Sequence, residues 1–114
     1  VLLKIKKNSM EYIGLNSGRS YVFSNKEYTA PKRPPHEDIK IKVLYEFTQK
    51  TIKASQIITD IGNSEESSIS RFSLSINRLT GNLSEIESIS NKKTLQKSMS
   101  NNFQALCKRE DRSY

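Results

Sequence analysis

Cysteine and histidine are nearly missing from this chain, and tryptophan is absent. There is one cysteine, Cys107, and one histidine, His36, in 114 residues. A single thiol cannot close an intrachain disulfide, and it cannot build a cysteine-based zinc site. His36 stands beside Glu37 and Asp38 in a proline-containing stretch. Stable metal sites gather three or four ligands from a rigid frame, so no metal site is expected there. Glycine is also scarce. There is no P-loop, no GxGxxG, no GxSxG and no HExxH, so neither a cofactor nor a catalytic centre is expected. No apolar run approaches the roughly 18 residues of a membrane span. The opening VLLKIKK is too short and too interrupted for a complete signal peptide. Because the chain begins with Val1, a periplasmic or secreted location is expected if a leader precedes it, and a cytoplasmic one otherwise.

Acidic residues are outnumbered by basic ones. The net charge is +7, spread along the chain with small clusters at Lys4–Lys7, Lys32-Arg33 and Lys108-Arg109. Such a chain is drawn to anionic partners in general. Dedicated nucleic-acid binders concentrate charge on one element, which this sequence does not do.

What is present is periodicity. In IKIKVLYEF, residues 39–47, Ile39, Ile41, Val43, Tyr45 and Phe47 take every second position. A strand places all five on one face, whereas a helix would scatter them. Val1 to Ile5 alternate as an edge strand guarded by lysines. Residues 11–24 form a hairpin around Asn16-Ser17-Gly18-Arg19. Residues 29–38, TAPKRPPHED, form a loop whose PxxP outline is either a polyproline ligand or a stiff connector. Thr48-Gln49-Lys50 turns the chain into a return strand over 52–58, and 60–68 is a polar loop. Phe72, Leu74 and Ile76 then alternate with serines. Leu79-Thr80-Gly81-Asn82 reverses the chain, with Gly81 in the left-handed position, and 83–89 returns. After residue 90 the spacing changes. Leu95, Met99, Phe103 and Leu106 recur at four, four and three, which predicts an amphipathic helix from about Lys92 to Lys108, capped by Ser90 or Asn91.

Few residues offer chemistry. Cys107 reads as a packed thiol, with a Cys107–His36 nucleophile–base pair as the enzymatic alternative. Glu85 and Glu87 share a strand face and, like Glu65 and Glu66, read as solvated. For an anionic ligand the candidate binding residues are Lys40, Lys42, Lys53 and Arg78. An aromatic stacking platform on the lysine face would have to come from Tyr12, Tyr21 or Tyr28. Asn82-Leu83-Ser84 is the one glycosylation sequon.

Phe72, Leu74, Ile76, Arg78, Thr80, Gly81 and Leu83, followed by Cys107-Lys108, make a pattern that resembles small uncharacterised proteins of Gram-negative bacteria and their phages. The resemblance implies a β-rich chain, often periplasmic or secreted, and brings no activity. Such proteins often pair the late cysteine with an early one. Here the early region EYIGLNS has none.

The expectation is one small domain over residues 1–114. It is mainly β, an antiparallel meander of five to seven strands curling toward an open barrel or sandwich, with one C-terminal helix. Its core draws on Ile39, Ile41, Val43, Tyr45, Phe47, Ile52, Ile58, Phe72, Leu74, Ile76 and Leu83, with Leu95, Met99 and Phe103 from the helix. The expected function is a non-enzymatic binding or accessory module. Its partner is a protein, met through a sheet edge or the proline-rich loop; the alternative is weak, electrostatically driven binding of nucleic acid.

Overall fold

A computed structural model of the chain describes residues 2–14, 18–30, 38–62 and 65–108. The proline-rich stretch, with His36 and the PxxP outline, lies outside the described residues. Nine strands are present among them, in two antiparallel sheets. The smaller sheet has the order β1 (Leu2–Ile5), β2 (Met10–Ile13), β3 (Ser20–Phe23). The larger is a six-stranded meander of β4 (Lys26–Ala30), β5 (Ile39–Phe47), β6 (Thr51–Asp60), β7 (Ser68–Asn77), β8 (Asn82–Asn91) and β9 (Lys97–Leu106). Neither sheet closes into a barrel.

The pleat of the large sheet decides which residues meet. Val43 lies opposite Gln56, Tyr45 opposite Ala54 and Phe47 opposite Ile52. Ala54 faces Leu74 and Ile52 faces Ile76, which in turn faces Leu83. These residues share one face, here called the inner face, and the small sheet packs on it. Met10 and Phe23 from the small sheet complete a buried cluster with Ile41, Val43, Tyr45, Ile52, Ala54, Leu74, Ile76 and Leu83. The Phe23 and Phe72 rings stack at 5.7 Å, and Tyr12 meets Phe72 edge-on at 6.1 Å. The Tyr45 hydroxyl donates to the Lys6 carbonyl at 2.7 Å, and Gln56 Nε2 donates to the Tyr21 hydroxyl at 2.8 Å, tying the sheets together.

Burial pushes the Tyr12 and Tyr21 phenols up to about 12, helped at Tyr12 by Glu85 and at Tyr21 by Tyr28. The unfolded chain would release these protons near its ordinary value of about 10. Above that pH the unfolded state therefore binds fewer protons than the folded one, and stability falls as pH rises. Chemical denaturation at a series of pH values should show the loss setting in near pH 10 and continuing to about 12. Native phenols that ionise near 10 would contradict this.

The expected C-terminal helix is absent. Residues 92–96 form a turn, and residues 97–106 are the last strand of the meander. Spacings of four are also multiples of two, so Leu95, Met99 and Phe103 satisfy either period. Ser98, Ser100, Asn101 and Asn102 remove the helix propensity that could have decided for a helix, and pairing with β8 decides for a strand. Met99 lies opposite Ile89 and Phe103 opposite Glu85, on the inner face, while Leu106 points to the other side. Leu95 and Phe103 are exposed, not core.

Asn91, expected as a helix cap, caps no helix and instead heads a single turn. Its Oδ1 accepts from the backbone N–H groups of Lys93 and Thr94 at 2.9 and 3.0 Å. The same arrangement stands at Asn77, whose Oδ1 accepts from Leu79 and Thr80 at 2.9 and 3.2 Å. Thr80 and Thr94 each accept from the amide two residues on at 3.2 Å. Asn77-Arg-Leu-Thr-Gly81 and Asn91-Lys-Lys-Thr-Leu95 are thus one turn used twice. Its fifth residue is left-handed in both copies, with φ 79° at Gly81 and 60° at Leu95. Leucine there carries a steric cost that glycine avoids. Leu95→Gly should therefore stabilise the fold by about 0.5–1 kcal/mol in urea titrations. Gly81→Ala should cost about 1–2 kcal/mol, because a Cβ there would lie 2.9 Å from the Cys107 carbonyl oxygen. A Leu95→Gly variant no more stable than the parent would contradict the equivalence of the turns.

Candidate functional site

The large sheet has a second face, and the alternation that builds the core sends the charges there. Lys40, Lys42, Leu44 and Glu46 of β5 point away from the small sheet, and all four are exposed. Across β6 they lie opposite Thr59, Ile57, Ser55 and Lys53. β7 continues the face with Ile69, Arg71, Ser73 and Ser75, and β8 with Ser84, Ile86, Ser88 and Ser90. Lys97 of β9 closes it beyond a bulge, opposite Ser90. Leu44 and Ile86 are 46% and 49% exposed on this open face. Ser88 and Ser90 are buried at its β8 side.

Three of the four candidate residues, Lys40, Lys42 and Lys53, therefore share one surface. Arg71, which the sequence reading did not single out, joins them. Lys42 and Arg71 flank Ile57 in one cross-strand row. Two strand spacings put them about 10 Å apart, and Lys40 lies about 7 Å along the strand from Lys42. Lys40 is partly satisfied by Glu27, whose carboxylate it meets at 2.7 Å. That hydrogen bond, and the charge behind it, hold the Glu27 carboxyl below its ordinary range. Neither Lys42 nor Arg71 has an ion pair of this kind among the described residues, though Glu27 lies directly opposite Lys42 and feels its charge. Arg71 was legible: carrying the alternation of Phe72, Leu74 and Ile76 one residue back puts Arg71 on the side of Ser73 and Ser75.

Arg78 does not join them. It sits in the turn between β7 and β8, where its guanidinium lies 4.3 Å over the Phe47 ring and donates to the Thr48 carbonyl at 2.7 Å. Its own amide donates to Lys50, and the Cys107 amide donates to Gly81, each at 2.8 Å. Arg78, Gly81 and Cys107 thus fasten three chain segments at one end of the sheet. LTGN is a structural turn. Lys92 does similar work at the other end, donating to the carbonyls of Asp60, Ile61 and Gly62.

No ring stands on the lysine face among the described residues. Tyr12 and Tyr21 lie between the sheets, and Tyr28 shares the inner face opposite Ile41. Glu85 and Glu87 point to the inner side; Glu87 is exposed there, as its solvated reading expects, and Glu85 is half-buried. They stand beyond the cover of the small sheet with Phe72 and Phe103 around a shallow hollow, and an adjoining open hollow of about 230 Å³ is lined by Gln56, Ile58, Phe72, Glu87 and Ile89. Cys107 is half-buried, and burial, reinforced by Glu85, pushes its thiol up and away from thiolate chemistry. Among the described residues no three His, Cys, Asp or Glu side chains gather to hold a metal. No helix among them is long and apolar enough to cross a membrane. No family model, curated protein or solved structure matches this chain.

Proposed function

We propose that this chain is a non-enzymatic binding module whose working surface is the open face of the six-stranded sheet. Its ligand is an anionic polymer, nucleic acid being the probe of choice, held through backbone charge. The observation that carries this is the convergence of Lys40, Lys42, Lys53 and Arg71 on one exposed face. With no aromatic ring beside them among the described residues, such a face reads charge and not base identity.

Anisotropy of a labelled mixed-sequence duplex, titrated with the protein at two salt concentrations, tests it. Three or four phosphate contacts predict that affinity falls roughly 40- to 150-fold between about 50 and 200 mM salt. Binding that ignores salt, or depends on base sequence, would sink the reading. A second reading, protein interaction through a sheet edge, is supported by β9, which is ten residues long and exposed along almost its whole length.

A further inference from the structure

The two sheets present four edges, and they are not alike. β1 and β3 are four residues long and β4 is five, opening on Lys26-Glu27. Short length and charge are how sheets discourage further pairing. β9 has neither protection. It runs ten residues, KSMSNNFQAL, with Lys97 as its one charge, and pairs with β8 alone among the described residues. Its bulge falls at the Ile89/Ser90 register, near the start of the strand, and leaves residues 99–106 in regular pairing.

The pattern of this strand also suits a particular occupant. Met99 and Phe103 point to the inner face, with Asn101 between them. Read in either direction, Met99 to Phe103 runs apolar, polar, polar, polar, apolar. We propose that β9 pairs antiparallel with the β9 of a second copy of this chain, about a two-fold axis at Asn101. That register sets Met99 of each copy opposite Phe103 of the other, Ser100 opposite Asn102, and Asn101 opposite itself. It brings no like charges together, and apolar cross-strand pairs add to the backbone hydrogen bonds. The isologous contact closes after two copies and joins the meanders into one twelve-stranded sheet. The inference rests on the reading of β9 as an open edge, and it names the partner that edge takes.

The test is sedimentation of the full chain over roughly 10 µM to 1 mM, the range where a small, weak interface is populated. Hydrogen exchange of the β9 amides is followed across the same range. A dimer should form as concentration rises, and the outward-facing β9 amides should slow with it. Asn101→Lys and Asn101→Asp each place like charges across the axis, and each should weaken the dimer roughly fivefold or more. An equimolar mixture of the two variants should restore it. Asn101 is exposed, so both variants keep the core. A chain that stays monomeric overturns the inference, as does a dimer indifferent to both substitutions. β9 amides already slow in the dilute monomer would overturn the edge reading itself, since this chain would then cover its own edge.

Discussion

Replacing Lys42 and Arg71 together by glutamate is expected to weaken duplex binding about 100-fold at low salt and to lower the salt slope by about two contacts. These two cations flank Ile57 on the open face and, among the described residues, neither is held in an ion pair. Each lost phosphate contact removes its counterion release, and each glutamate adds repulsion. The matching control is Lys4→Glu with Lys6→Glu. It changes net charge by the same amount, but on the small sheet, where Lys4 stands opposite Glu11. If binding followed net charge alone, the two double variants would lose affinity equally. The structure predicts that the small-sheet variant loses no more than about threefold, through the long-range field. Far-ultraviolet circular dichroism should be unchanged in both, because all four side chains are exposed.

Leu74→Ala is expected to cost about 3–4 kcal/mol of folding stability, near the middle of the range for fully buried leucines. Leu74 is 1% exposed, in the central strand of the core-bearing part of the sheet, between Ala54 on β6 and Glu85 on β8. Both cross-strand neighbours limit collapse into the space left: Ala54 is already small, and Glu85 would pay to follow into an apolar site. A domain of this size has only about 5–15 kcal/mol to lose. Leu44→Ala, one face over, removes the same atoms from a side chain 46% exposed and should cost less than about 1 kcal/mol. Urea denaturation of the two variants decides which face of the sheet carries the core. Equal losses would mean that the open face is packed against something.

Much of this architecture was legible in the residues. IKIKVLYEF is β5 over the bounds its alternation predicts, and the strands flanking LTGN are β7 and β8. The core residues named on β5 to β8 are buried or half-buried. β4 escaped notice because an edge strand needs little apolar content, and Tyr28 is its one large apolar group. Met10 and Phe23 escaped because their burial depends on which sheet covers which, a tertiary fact that periodicity does not carry. The helix over residues 92–108 was misread because a stripe at every fourth residue satisfies both periods and only the partner strand breaks the tie. The internal repeat of the Asn-x-x-Thr turn was hidden because its fifth residue is glycine once and leucine once. Of the candidate ligand residues, the three lysines lie on strands and share one face, as alternation implies. Arg78 lies apart from them in a turn, which gives no face to reason from.

The proposed binding surface is the open face of the six-stranded sheet, and not the chain's charge at large. Side-chain and amide chemical shifts followed by NMR during titration with a short mixed-sequence duplex test it directly. The largest changes are expected at Lys42, Lys53 and Arg71, with Ile57 and Leu44 moving beside them and the small sheet quiet. Changes centred on Lys4, Lys6 and Lys7, or spread evenly over every lysine, would contradict it.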